Sequence, residues 1–266
     1  MGADWRALPS DDPRQIIGAN VAAIRARIAE ACRLAGRDPT EITLVAVTKY
    51  VSAEVTAMLL DVGVRELAES RPQALWEKAS VMASHQNPPR WNLIGHLQRN
   101  KIRRTLPLLG MLQSLDSLRL LEAIDTDAVK AADATKAAHA LEAAEGLTPS
   151  SLSPRLDALV EVNLTDDPGR SGAAVEDVPA LVAAAARSPA VRLRGLMGMA
   201  ARPDTGSDAR RDFARLRVLR DHVAEAIPDP QALADLSMGM SGDFEAAILE
   251  GSTIVRIGSA LFEGLA

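Results

Sequence analysis

Three short stretches of this chain carry residue types and spacings that could do chemistry. Lys49 follows Ile42 to Thr48, seven residues without a formal charge. An amine leaving such a run into a pocket is partly desolvated, which lowers its pKa and suits it to attack an aldehyde. A lysine whose stem covers apolar surface while its ammonium reaches water fits the same spacing. The second stretch is Leu236-Ser237-Met238-Gly239-Met240-Ser241-Gly242-Asp243. Its two hydroxyls, two glycines and the N–H groups of a helix start suit a phosphate dianion, with Asp243 as the helix cap. An ordinary glycine-serine turn is the alternative. The third is Val255-Arg256-Ile257-Gly258-Ser259. An unpaired guanidinium in so apolar a segment is costly to bury, so Arg256 needs either an acceptor at a ligand site or a structural carboxylate partner.

Other chemistry is thinly represented. Glu69 with Ser70, Gly95 with His96, Asn163, and Met197 with Met199 stand at predicted strand ends, where each alone fits capping or packing as well as ligand contact. His85, His96, His139 and His222 show no helical or alternating pairing, so no metal site is expected. The single cysteine, Cys32, excludes an internal disulfide framework and fits a reducing, cytoplasmic setting. With 30 basic against 35 acidic residues and a net charge of -5, no overall field favours nucleic acid. The start, MGADWRALPSDDPRQ, lacks the pattern of an export signal, and no apolar stretch is long enough for a membrane span.

The elements that must position these residues follow from periodicity. From Asp12 to Ala35, Ile17, Val21, Ile24, Ile28 and Cys32 draw one stripe along a helix that Gly36 ends. Strands are predicted at 42–48, 64–68, 91–95, 111–115, 158–163, 192–197, 232–237 and 253–257. Between them lie helices at 52–62, 72–82, 100–109, 117–144, 175–186, 208–226 and 244–249, and Gly146 to Pro154 reads as a surface loop. Eight βα units in 266 residues, 47% hydrophobic and only 3% aromatic, predict a single α/β domain over 1–266: a (β/α)8 TIM-like barrel with an extra N-terminal helix. The other candidate, a doubly wound open sheet, lacks its usual glycine-rich first turn. Barrel chemistry sits at the C-terminal strand ends, and a recurrent phosphate site uses the loops after strands seven and eight. Lysine and phosphate cup together point to a phosphorylated aldehyde: a sugar-phosphate aldolase substrate, or pyridoxal 5'-phosphate as a bound cofactor.

The strings LVAVTK (44–49), NLIGHLQRNK (92–101), EVNLTDDPGRSG (161–172), RLRGLMGM (192–199) and LSMGMSGDFEAAILEGSTIVRIGSALF (236–262) closely resemble the pyridoxal-phosphate homeostasis protein family. These proteins are related to the N-terminal barrel of alanine racemase. The resemblance runs in order from first strand to last. It implies a fold type III barrel with pyridoxal phosphate as a Schiff base on Lys49. It also implies that Ser237, Gly239, Ser241, Gly258 and Ser259 surround the phosphate and that Arg256 approaches the pyridine nitrogen. Ser70, Asn163 and Met197 complete the expected cofactor-binding set. An arginine beside that nitrogen keeps it largely unprotonated and weakens the ring as an electron sink. The chain departs from the family at Ala68-Glu69-Ser70, where Gly-Glu-Asn is usual, and at Glu263 in its ending.

The resembling racemases use a second base, a tyrosine from an added C-terminal domain. This chain has no counterpart before Ala266, and its only tyrosine, Tyr50, adjoins Lys49, where neighbouring side chains are expected to diverge. No catalytic residue is therefore assigned. The expected role is a carrier in vitamin B6 homeostasis, buffering or delivering the cofactor, with client enzymes as partners and a monomeric barrel. The alternatives are an amino-acid racemase or lyase with Lys49 as sole base, and a scaffold that has lost its cofactor.

Overall fold

The computed structural model describes residues 12–144, 155–165, 167, 169–201 and 208–265. Among them, eight parallel strands close a barrel in sequence order, each hydrogen-bonded to the next and the last to the first. The strands are β1 (Thr43–Val47), β2 (Glu66–Glu69), β3 (Arg90–Leu93), β4 (Leu109–Leu115), β5 (Leu156–Val162), β6 (Val191–Gly198), β7 (Asp235–Ser237) and β8 (Ile254–Ile257). The helices are α1 (Pro13–Ala35), α2 (Ala53–Asp61), α3 (Pro72–Met82), α4 (Ile102–Thr105), α5 (Leu118–Ala144), α6 (Val178–Ala185), α7 (Ala209–Ala224) and α8 (Phe244–Leu249).

Local chemistry explains most boundaries. Asp12 caps α1 by accepting from the Arg14 N–H, Pro13 occupies its first turn, and Gly36 ends it in the left-handed conformation at φ 66°. Its buried face contains the predicted Ile17, Val21, Ile24, Ile28 and Cys32. Ser52 caps α2 through the Val55 N–H. Elsewhere local turns shorten what periodicity predicts. The predicted strand 64–68 forms only from Glu66, because Val64 N–H closes the helix end onto Leu59 O. The predicted strand 232–237 is cut to Asp235–Ser237, since Pro230–Leu233 wind into a 3-10 turn capped by Asp229. The predicted helix 100–109 divides into 3-10, α and 3-10 turns, with Pro107 inside the last. The loop predicted at Gly146 to Pro154 lies outside the described residues.

Alternation along the strands sorts side chains between two cores. The larger one joins outward residues such as Leu67, Leu93, Leu112, Val160, Leu196, Leu236 and Val255 to the helices. The smaller one, Val45, Val47, Ala68, Met111, Leu159, Met197 and Ile254, fills the barrel interior. The positions between these inward apolar residues are polar, and they shape the site.

Candidate functional site

Lys49 stands two residues beyond the inward-facing Val47, at the exit of β1. It is exposed, so the partial desolvation expected from the strand ahead of it is absent. Its Nζ lies 4.8 Å from the centre of the Tyr50 ring. The two side chains thus share one side of the strand end rather than diverging, with a cation–π contact between them. The strand itself is apolar, but it stops at buried Thr48, and the turn that follows faces water.

The turn after β8 adjoins this strand end. A Cβ on Gly258 would meet the Val47 side chain and carbonyl at 3.5 Å. The backbone N–H groups of Gly258 and Ala260 both point to Ser241 Oγ, at 3.3 and 3.4 Å. Ser259 is exposed beside them and opens a short 3-10 turn. Converging amides that meet a hydroxyl acceptor present the donor set an anionic oxygen needs. Gly239 serves this geometry from behind. Its φ is +94°, and an added Cβ would fall 2.7 Å from Ala247 Cβ and 2.8 Å from Phe244 Cα, so only glycine lets α8 approach. Its carbonyl accepts from Arg256 N–H at 3.0 Å. Asp243 stands at the start of α8, but its carboxylate accepts from Met240 N–H at 2.6 Å and does not cap the helix, a correction to the cap expected from sequence. Met240 lies three residues before Asp243, and its amide takes the carboxylate that would otherwise face the helix amides.

Arg256 points inward, opposite Val45 in the β1–β8 ladder, and is 4% exposed. Its partners are neutral: Ser237 Oγ at 2.6 Å and the Gly198 carbonyl at 3.0 Å. Burial pulls its pKa down to about 10, opposed by the charges of Glu161 and Asp243, so the guanidinium is a cation at neutral pH. Ser237 is fully buried and donates onward to Gln113 Oε1 at 2.7 Å. Its hydroxyl is therefore engaged inside the barrel, away from the turn where sequence reasoning put it.

The other expected residues are spread around the mouth. Met197 is buried in the interior core, beside Ser237 in the β6–β7 register. Asn163 organises its own loop, donating to Asp167 O at 2.8 Å and accepting from the Thr165 N–H at 3.0 Å and hydroxyl at 2.8 Å. Ser70 is half-buried, and its carbonyl leaves no space for a side chain at position 95, where a Cβ would lie 2.3 Å away.

The sequence offered Glu69 and His96 only as strand-end residues, and it did not single out Glu161 or Lys78. Glu161 is 2% exposed on the inward face of β5 and accepts from Ser171 Oγ at 2.5 Å. His96 Nδ1 lies 3.2 Å from Asp116 Oδ2 at the ends of β3 and β4. Outside the barrel wall, the buried Lys78 of α3 donates to Glu69 Oε1 at 2.5 Å and to Thr48 O at 2.6 Å. Thr48 Oγ1 adds a bond to the same Glu69 oxygen at 2.7 Å. Period two places Glu66, Asn92, Gln113 and Glu161 on the inward face, each two residues along its strand from an inward apolar residue: Ala68, Ile94, Met111 and Leu159.

These residues fit a small molecule that carries a phosphate and an aldehyde on a flat ring. Two amides and the Ser241 hydroxyl converge at one turn, a primary amine at the neighbouring strand end has no ion pair among the described residues, and a buried cation on the last strand spends one donor on Ser237 and one on the Gly198 carbonyl. Among the described residues no group of histidine, cysteine or acidic side chains is arranged to hold a metal ion.

The comparisons agree on one lineage. The family model for the alanine racemase N-terminal domain matches residues 19–265. The pyridoxal phosphate homeostasis protein of Pseudomonas aeruginosa is 35% identical over 246 residues, covering 92% of this chain and 94% of that one. Its namesake from Escherichia coli K12 is 32% identical, covering 92% and 95%. Among solved structures, PipY of Synechococcus elongatus with PLP bound superposes with a TM-score of 0.74 at 26% identity, over 92% of this chain and 99% of that one. Alanine racemase from Corynebacterium glutamicum, at 13% identity and a TM-score of 0.60, shares the fold over 93% of this chain and 60% of its own.

Proposed function

Because this chain belongs to the alanine racemase N-terminal domain family, together with the pyridoxal phosphate homeostasis proteins, we propose that it binds pyridoxal 5'-phosphate and acts in that cofactor's homeostasis. When bound, the cofactor supplies an aldehyde that joins an amine and a pyridine ring that withdraws electrons. Lys49 Nζ is the attachment point. Ser241 Oγ and the amides of Gly258 and Ala260 hold the phosphate, with Ser259 at the rim. Arg256 donates to the ring nitrogen, Met197 and Gly239 form the supporting wall, and Ser70 and Asn163 border the mouth. The whole of 1–266 works as one unit, a monomer in a reducing cytoplasm that buffers the cofactor or passes it to client enzymes. No described helix is long and apolar enough to cross a membrane.

The observation that carries this reading is the buried, charged Arg256 set one strand away from an exposed lysine and next to a turn of converging amides. A guanidinium held as a cation repels a proton from a ring nitrogen beside it, so the site restrains the electron withdrawal on which racemases and lyases depend. Holding the cofactor is what such a site does well.

The test is optical. Purified protein reconstituted with pyridoxal phosphate is expected to show the absorption of lysine-bound cofactor, to be fixed by borohydride at Lys49, and to lose both in Lys49→Ala. Borohydride labelling at another lysine overturns the assignment. Incubation of the loaded protein with single amino acids in deuterated water checks the carrier role, and sustained α-proton exchange with turnover would replace it with catalysis.

A further inference from the structure

The guanidinium of Arg256 is the first member of a line of buried side chains that crosses the barrel. Arg256 Nη1 donates to Ser237 Oγ at 2.6 Å, and Ser237 Oγ donates to Gln113 Oε1 at 2.7 Å. Gln113 Nε2 donates to Asn92 Oδ1 at 2.8 Å, and Asn92 Nδ2 donates to Glu66 Oε2 at 2.8 Å. Ser237, Gln113 and Asn92 are each no more than 1% exposed. At the far end, Arg90 Nη1 donates to Glu66 Oε2 at 3.3 Å, and its Nη2 to Asp157 at 2.7 Å. There a cavity of about 380 Å3, lined by Glu66, Arg90, Asn92 and Asp157 among others, opens at the mouth opposite the candidate site.

The direction of every bond in this line is fixed by its two ends. A guanidinium only donates and a carboxylate only accepts. Reversing any group between them would set two donors or two acceptors face to face in a buried site, at the cost of unmade hydrogen bonds. The orientations of both amides and of the serine proton therefore follow from chemistry rather than from choice. Bonds aligned head to tail also polarise one another, so the cation at one end and the anion at the other hold the line taut.

We propose that Ser237, Gln113, Asn92 and Glu66 form a directional relay that fixes the aim of Arg256, making Ser237 and Gln113 positioning residues for the ring end of the cofactor site. The inference rests on the cofactor reading above and deepens it. It separates the two serines of the Ser-Met-Gly-Met-Ser turn: Ser241 serves the phosphate end, and Ser237 serves the arginine. It also explains why so much of the barrel interior is amide and hydroxyl when aliphatic side chains would pack there at less cost.

The test compares Ser237→Ala, Gln113→Leu and their double variant with wild type and Ser241→Ala, all as cofactor-loaded full-length protein. The pH dependence of the bound chromophore's spectrum is measured alongside cofactor retention on dialysis. Slackening the arginine lets its charge move away from the ring nitrogen, where it keeps a proton off. In the relay variants the spectral transition is expected to move upward by roughly one pH unit, the scale of one hydrogen bond. The double variant is expected to move no further than the larger single shift, because the residues act in one line. Ser241→Ala is expected to lose retention with no shift. A wild-type pH profile in both folded relay variants overturns the relay, and so do additive shifts.

Should wild type fail to label at Lys49, the cofactor reading falls, and the relay is judged on the cofactor-free protein. Slow rotation of the Arg256 guanidinium by nitrogen-15 NMR, speeded at least several-fold in Gln113→Leu, supports it. Equal rotation in the two overturns it. Gln113→Met, closer in length, replaces the leucine variant if that one does not fold.

Discussion

Glu161 is a carboxyl group set among charges that pull it both ways. Burial raises its pKa above the ordinary glutamate value, helped by Asp116, while the Ser171 hydrogen bond, Arg256 and His96 oppose the rise. A group whose folded pKa is raised favours the fold when protonated. That contribution is complete below the unfolded pKa of about 4.3 and is lost as pH rises through the folded value. Glu161→Gln keeps the shape and removes the titration. Its stability relative to wild type should therefore increase as pH rises from below the unfolded glutamate value through the raised folded one. Denaturant titrations at a series of pH values from acid to neutral check the claim, and a difference that stays constant with pH contradicts it.

The Lys78–Glu69 pair is the second residue whose environment sets a measurable energy. The lysine side chain is 8% exposed and the glutamate 1%, and Glu69 Oε2 has no hydrogen-bond partner. Removing one charge strands the other, so Lys78→Met should destabilise the protein by about 3 to 5 kcal/mol. Joining it to Glu69→Gln removes both charges and should recover most of that loss, because a buried pair replaced as a whole is often close to neutral. Urea denaturation of the single and double variants distinguishes them, and equal losses in the two would mean that the pairing contributes little.

At the scale of the element, the β7–α8 turn determines whether the anion site exists. Gly239 holds φ +94° against the first turn of α8, with Phe244 Cα in the way of any side chain. The contact with α8 also places Ser241, whose hydroxyl receives the two amides of the next turn. Gly239→Ala combines backbone strain with a clash against backbone, and it should cost about 2 kcal/mol or more. It should also weaken cofactor retention, although the residue carries no side chain to contact a ligand. Thermal denaturation with a dialysis assay checks both effects. A normal melting temperature in the alanine variant would show that α8 can move aside.

The elements differ in how plainly they were written in the chain. The helix stripe of α1 and its end at Gly36 are local, and each is observed where the pattern puts it. The order of eight strands was legible for the same reason. The start of the strand predicted at 232–237 was not, because Asp229 and Pro230 begin a 3-10 turn that takes in Ala232 and Leu233. Within the site, Lys49, Ser241, Gly258 and Arg256 stood out by residue type and strand-end position. The role of Ser237 did not, because it depends on Gln113, which is distant in sequence and supplied by β4 across the barrel. Lys78 was hidden likewise: a helix lysine reads as solvated until the strand carboxylate behind it is seen.

At the scale of the whole molecule, barrel closure makes the site. Val45 pairs with Arg256 and Ala46 with Ile257, which joins the first strand to the last. Lys49 leaves the first strand, whereas the amides that converge on Ser241 belong to the turn after the last. Seen from a chain emerging from the ribosome, the lysine proposed to hold the cofactor is made early, and the proposed phosphate anchor and ring-facing arginine come at the end. A nascent barrel that still lacks β8 would offer the cofactor an amine without an anchor. Durable capture of the cofactor is then a late event in biosynthesis, and the bound chromophore becomes an optical signal that the ring of strands has closed.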